Sequence, residues 1–359
     1  MKLSHFLKLF LWFLAIRSFQ LSIVYITPAQ FDISSTTYEI TNSSTLNSIF
    51  NKFIHWDNVY FHRSFNEGPS FEHEWVFGPL WWRIINKIPY NGDKFLIGII
   101  FANVLNFATM MMVYELTFLK FRDPLKSYLS SIFFIISPMG IFSMTPYSEN
   151  LSNFLIIFGL YLYYQRSTIC YLSSSILFSF SVMTRSNTII IGFLYLYDFI
   201  TNQSIISLNS GLILASSLFI LNYIPYLNFC PERGEWCDYT IPSLYSFAQS
   251  YYWNVGFLKY WSVNNIFNFV IASPMLILLY KSISSTRDLK LKVITLLHLI
   301  LCVFFIHVQI VLRISGFIPI TYWYLSDLIM KGQGSRWILY LVIWIPLQAT
   351  LFSSFLPPA

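Results

Sequence analysis

Apolar runs follow one another along the chain at residues 6–26, 95–119, 127–146, 150–165, 169–184, 188–200, 207–228, 263–281, 293–312, 316–330 and 336–354. A membrane helix needs about 20 such residues, so the pattern predicts an all-α polytopic membrane protein with about eleven transmembrane helices and short connections. Several runs are short, and Pro and Gly near 137–150 and 312–318 leave their boundaries open. Two long polar stretches, 27–94 and 229–262, interrupt the series. The first run contains Arg17 and lacks a small-residue cleavage site, so it reads as a retained signal anchor.

Charge sets the orientation. Lys2, Lys8, Lys120, Arg122, Lys126, Arg166, Lys281, Arg287, Lys290, Lys292, Lys331 and Arg336 share one side if the spans alternate, and the positive-inside rule makes that side cytosolic. The other side then receives both long loops and Asp32, Glu39, Asp57, Glu67, Glu72, Glu74, Asp93, Glu149, Glu232, Glu235 and Asp238. On that side Cys230 and Cys237 bracket CPERGEWC and are expected to form a disulfide. Asn42 in NSS is a glycosylation acceptor on the same face. Cys170 and Cys302 fall within spans and read as core thiols.

Composition narrows the class. Of 359 residues, 56% are hydrophobic and 11% charged, against roughly 25% charged in soluble domains, which excludes a water-soluble globule. The formal charge of +6 is scattered between apolar runs. Without a basic, aromatic face, nucleic acid is excluded as a partner. There is no Gly-rich phosphate loop, HExxH, nucleophile elbow or DxD-type acidic pair, so neither a bound metal nor a cofactor is expected.

Candidate chemistry lies in the polar segments. Leu46, Ile49, Phe50, Phe53, Tyr60 and Phe61 recur at helical spacing and predict an amphipathic surface helix, with Asp57 on its apolar stripe. A carboxylate there is costly unless it has a task; the plain alternatives are a pair with Arg63 or His55, or a turn cap. Downstream, FEHEWVFGPLWWRI sets Glu72 and Glu74 among Trp75, Phe77, Trp81 and Trp82. Such aromatic density suits a sugar-stacking wall or the membrane interface, and composition alone favours the interface. Four further segments, SMTPYSEN (143–150), TRSN (184–187), YSFAQSYYWNVGFLKYW (245–261) and HVQIVLRISG (307–316), put Glu149, Arg185, His307, Gln309 and Arg313 at or near span depth. Headgroup anchoring accounts for any one cation. It does not account for their gathering on one face with Asp57.

HWDNVYF (55–61), EHEWVFGP (72–79), TRSN (184–187), WCDYTIPSLYSFAQSYYWNVGFLKYW (236–261) and FFIHVQIVLRISGFIPITYWY (304–324) resemble, in order and spacing, the PIG-V family of GPI mannosyltransferases. The resemblance covers nearly the whole chain, and WNVGFLKYW and the Trp-Asp pair of the first loop are its specific marks. It implies one transmembrane catalytic domain over residues 1–359, a GT-C-type bundle in the endoplasmic-reticulum membrane with its active site in the lumen. The implied reaction moves mannose from dolichyl-phosphate-mannose, in α1,6 linkage, onto the mannosyl-glucosaminyl-phosphatidylinositol precursor. The lipid-linked donor is a substrate, and no other cofactor is implied. Fungal members of the family associate with a small accessory membrane subunit; nothing in this sequence shows one.

A β-mannosyl phosphate that yields an α-mannoside must invert, which one base accomplishes without a covalent intermediate. Asp57 is the expected base for the acceptor hydroxyl. Arg313 and Arg185, with His307 or Lys259, are expected to hold the donor phosphate. Trp56, Trp75 and Trp253 are the expected sugar walls, and Glu74, Asn187, Gln249, Asn254 and Gln309 the hydroxyl partners. Two rival readings remain at this point: another polyprenyl-phosphate-sugar transferase of the same architecture, and a transporter, which predicts polar residues along a transmembrane path and inverted repeats.

Overall fold

The computed structural model describes residues 3–28, 30–32, 49–230, 232 and 234–358. Lys2, Glu39, the glycosylation acceptor Asn42 and Leu46 of the predicted stripe lie outside the described residues. Among those described, the chain is all-helical with no strand. In chain order the α-helices are α1 (Leu3–Ile26), α2 (Asn58–Asn66), α3 (Pro79–Asn86), α4 (Lys94–Phe121), α5 (Pro124–Ile135), α6 (Glu149–Tyr163), α7 (Thr168–Thr184), α8 (Phe193–Asn202), α9 (Ile205–Phe229), α10 (Leu244–Tyr251), α11 (Ile266–Ser285), α12 (Leu289–Phe304), α13 (Val311–Ile314), α14 (Pro319–Met330) and α15 (Ser335–Ser353). Asp93, Asp123, Ser167 and Asp288 cap α4, α5, α7 and α12 by accepting from first-turn N–H groups.

All the predicted apolar runs are helical, but they differ in length. Among the described residues, five helices are long and apolar enough to cross a bilayer: α1, α4, α9, α11 with its lead-in from Val263, and α15. A sixth crossing arises if Val308–Ile314 and α14, bent by 79° at their break, count as one broken span. The other runs form shorter helices. At 1.5 Å per residue, α6 is about 22 Å long and α7 about 26 Å, short of a hydrocarbon core of about 30 Å. The run at 127–146 stops at Ile135 and continues as a turn of 3-10 helix at Gly140–Ser143, as its Pro and Gly content required.

Polar groups collect at two ends of the bundle. At one end Lys120 pairs with Asp288 at 2.7 Å, Lys126 with Asp327 at 2.7 Å and Lys290 with Asp198, while Tyr164 donates to Asp288 and Tyr163 and Tyr171 to Asp198. Lys120, Lys126 and Lys290 come from connections whose basic residues share one side if the spans alternate. Helices α4, α6, α7 and α12 lead from them to the other end, where the two long loops meet. Here Trp81 donates to the Pro146 carbonyl and Glu72 accepts from both Trp236 and Tyr252, so the first loop is tied to the 140–150 segment and to the second loop. Cys230 and Cys237 are joined, with Cα atoms 5.7 Å apart. Trp81 and Trp82 are buried core residues rather than membrane-interface anchors. Cys302 is buried and Cys170 half-buried.

The first run does more than lie in lipid. Arg17 of α1 points inward, donating to Gln20, Asn106 and Ser143 at 2.6–2.9 Å. Asn150 in turn donates to the carbonyls of Phe142, Thr145 and Tyr147. The segment before α6 is thereby held from within the bundle by Arg17 and Asn150.

Candidate active site

The predicted helix through Asp57 is interrupted. Turns at 52–57 and a left-handed Trp56 (φ 57°) redirect the chain, and α2 starts after Asp57, whose carbonyl accepts the first helical N–H groups. A bulky residue rarely adopts positive φ; here the Trp56 ring packs edge-on against Phe355 and His55 stacks on the same ring while bonding the Phe352 carbonyl. The break takes Asp57 off the apolar stripe and sets it at a helix start, where its side chain makes no capping bond. It pairs with neither Arg63 nor His55. Its Oδ2 accepts from Arg313 Nη1 at 2.6 Å, across 256 residues of sequence.

Arg313 lies on the one-turn helix α13, just before the bend. Its Nε is 2.6 Å from Glu149 Oε1, and Arg185 Nη1 is 3.5 Å from the same oxygen. Glu149 opens α6 and Arg185 follows the last turn of α7, so the antiparallel packing of these helices brings the two together. Tyr147 and Phe142 present their rings to the Arg313 guanidinium at 4.9 and 5.5 Å. The result is an alternating array, Asp57, Arg313, Glu149, Arg185, with two charges of each sign.

Close backbone approach makes this possible at two glycines. A Cβ on Gly78, whose φ is +53°, would stand 2.6 Å from Ser148 Cβ, and one on Gly316 would stand 2.5 Å from Asn153 Nδ2. The first glycine lets the EHEWVFGP turn seat against the start of α6; the second lets the bend after Arg313 seat against the same helix.

A cavity of about 200 Å³ opens beside the array, lined by Asp57, Val76, Phe77, Thr184, Arg185, Ser186, Asn187, Tyr245, Gln249, Trp253, Val255, Ile306, His307, Ile310, Arg313 and Ile314. That is room on the scale of a single sugar unit. The Asp57 carboxylate is 31% exposed and the Arg185 side chain 19%. His307 donates from Nε2 to the Trp253 carbonyl at 2.8 Å and stacks on Tyr260, and Trp253 meets Phe77 edge-on. The imidazole thus pins the WNVGF turn to the wall. Outside the spans, burial lowers the His73 pKa, and burial together with the Glu72 bond pushes the Tyr252 phenol up to about 12.

Of the residues singled out in the sequence, the structure brings Asp57, Arg185, Asn187, Gln249, Trp253, His307 and Arg313 to this cavity. Lys259 and Asn254 are exposed and do not line it. Glu74 instead accepts from the Ser70 and Phe71 backbone N–H groups and faces Arg63, and Trp75 packs against Trp82, Phe229 and Arg83. Trp56 holds its turn, and Gln309 is half-buried away from the lining. The sequence reading gave Glu149 no role. Its signal was an acid at the start of an apolar run, a costly position without partners. Phe77 and Tyr245, which also line the cavity, had only their aromatic setting to mark them.

A helical membrane bundle that keeps a carboxylate and two guanidiniums beside a sugar-sized cavity has the parts of a membrane-embedded group transferase. The family model described as Mannosyltransferase (PIG-V) matches residues 2–299 and 285–359, and the chain belongs to this family; it is a glycosyltransferase. It is similar to GPI mannosyltransferase 2 of Candida albicans, with 36% identity over 98% of this chain and 99% of that one. It is similar also to the proteins of that name from Yarrowia lipolytica (32%, over 99% and 100%) and Saccharomyces cerevisiae (33%, over 97% and 99%).

Proposed function

We propose that the protein adds the second mannose of the GPI anchor, in α1,6 linkage, taking it from dolichyl-phosphate-mannose on the lumenal side of the endoplasmic-reticulum membrane. The eleven apolar segments embed in the bilayer, several as short or broken helices, with the cavity at the lumenal end and the lysine-rich ion pairs at the cytosolic end. Asp57 accepts the proton of the acceptor hydroxyl as that oxygen attacks the anomeric carbon. The bond to phosphate breaks in the same step, through a state with oxocarbenium character, and the configuration inverts. The departing phosphate needs cations and no proton donor. Arg185, loosely paired and facing the cavity, takes this role, with His307 nearby; Arg313 aligns the base. Asn187, Gln249 and Trp253 face the sugars. Relatives of the same name from three fungi point to a GPI precursor as acceptor. An accessory membrane subunit belongs to this reading as a partner.

What supports it most is the convergence of Asp57, Arg185 and Arg313, from three distant segments, on one cavity. The test is transfer by microsomes containing the protein, supplied with labelled donor and a one-mannose GPI precursor. A two-mannose product is expected; transfer only to a different acceptor would leave the architecture and remove the specific function.

A further inference from the structure

Glu149 is the member of the array to which the proposed reaction assigns no chemistry. Only 2% of it is exposed and it does not line the cavity, so it cannot serve as a second base. Burying a carboxylate is costly unless it is paired, and Glu149 is paired on both sides. Its Oε1 faces Arg313 Nε and Arg185 Nη1, Ser148 Oγ donates to Oε2 at 3.3 Å, and the first turn of α6 adds its positive end.

The two arginines use it differently. Arg313 donates a hydrogen bond to Asp57 at 2.6 Å and stands in an ion pair with Glu149, Nε to Oε1, at 2.6 Å. Arg185 stands 3.5 Å off, carries no second carboxylate partner among the described ion pairs, and faces the cavity. With two cations against two anions, the array is electrically balanced before substrate arrives.

We propose that Glu149 is a positioning residue that fixes Arg313 on Asp57 and balances the resting site, so that Arg185 exchanges its loose contact with Glu149 for the substrate's phosphate. When the phosphate leaves, Arg185 returns. The inference rests on the lipid-phosphate donor proposed above. It has a consequence for turnover: the Glu149 charge opposes retention of the more highly charged phosphate product, and removing that charge leaves the array with one net positive charge.

Glu149→Gln keeps the side-chain shape and removes the charge. Steady-state transfer and inhibition by free polyprenyl phosphate, measured on the full-length enzyme, read the result. The expected variant has kcat lowered at least tenfold, a donor KM equal to or below that of the unaltered enzyme, and a product Ki lowered roughly tenfold, within the range of one buried charge interaction. A packing defect gives the opposite pattern, with KM and Ki both raised, and that pattern overturns the proposal; so does unchanged kcat. Should this variant fail to accumulate, Arg185→Gln carries the test. It is expected to raise donor KM and product Ki at least tenfold with the melting midpoint unmoved, whereas a lowered midpoint with unchanged KM makes Arg185 a fixed structural partner and overturns the exchange. If polyprenyl phosphate does not inhibit the unaltered enzyme, the donor assignment itself has failed. If it does inhibit and the variants disobey, only the role of Glu149 has failed.

Discussion

Asp57 is held in place by its neighbours more than by its own helix. Trp56 turns the backbone through positive φ, and the Phe355 ring receives both Trp56 and His55. Arg313 then fixes the carboxylate from across the bundle. Removing the charge while keeping the shape, in Asp57→Asn, is expected to lower kcat by about 10²–10⁴, the usual share of a general base, with membrane insertion and abundance unchanged. Near-normal turnover in a single-turnover assay would take Asp57 out of the chemistry. Arg313→Lys is expected to lose most activity as well, because one ammonium cannot hold Asp57 and Glu149 in the two directions that a guanidinium fork allows. Asp57 was legible in the sequence because an acid among apolar neighbours is costly and therefore conspicuous. Glu149 was visible for the same reason, yet its role was not: a buried pair is defined by which cations face it, and those come from residues 185 and 313.

At the scale of elements, periodicity located the apolar runs but not how far each extends as an unbroken helix. The run at 127–146 and the boundary at 312–318 between the runs 293–312 and 316–330 contain Pro, Gly or polar residues that stop helices, and the pattern alone does not say whether a break makes a kink or a bend of 79°. The amphipathic helix expected across Asp57 failed for a related reason. Apolar residues at helical spacing also arise when two short turns bury their side chains in one core, and Phe53 and Phe61 are both buried despite the break between them. Gly78 gives this scale its test. Alanine there must adopt φ of +53° and place Cβ 2.6 Å from Ser148 Cβ, a backbone strain of about 1–3 kcal/mol with overpacking besides. Gly78→Ala is expected to lower the melting midpoint and to lose activity beyond what reduced abundance explains, since the strain is released against the residue preceding Glu149. A variant with full specific activity per folded molecule would show that the start of α6 tolerates displacement.

At the scale of the whole molecule, the site end is an assembly of separate chain segments, so its integrity should respond to pH as a unit. His55 ties the Asp57 turn to the end of α15 through the Phe352 carbonyl, and His73 lies among Phe71, Tyr60 and Tyr252 where the two loops meet. Burial is the main cause that lowers the pKa of each below the ordinary imidazole value of 6.5. The sign follows from proton uptake. Below 6.5 the unfolded chain binds protons that the folded imidazoles refuse, so stability is fully present above that value and falls as pH drops toward the folded-state pKa. The melting midpoint in detergent is therefore expected to be level from pH 8 to 7 and to decline below about 6.5. Hydrogen exchange should show opening first in residues 55–77, while the Lys120–Asp288 and Lys126–Asp327 end stays protected, because neither His55 nor His73 lies there. In His73→Gln the decline should be shallower. An equal slope in the variant, or opening that begins at the lysine-rich end, would mean that the two loops are not what couples the cavity to pH, and that the contacts between Glu72, Trp236 and Tyr252 carry the loop junction without His73.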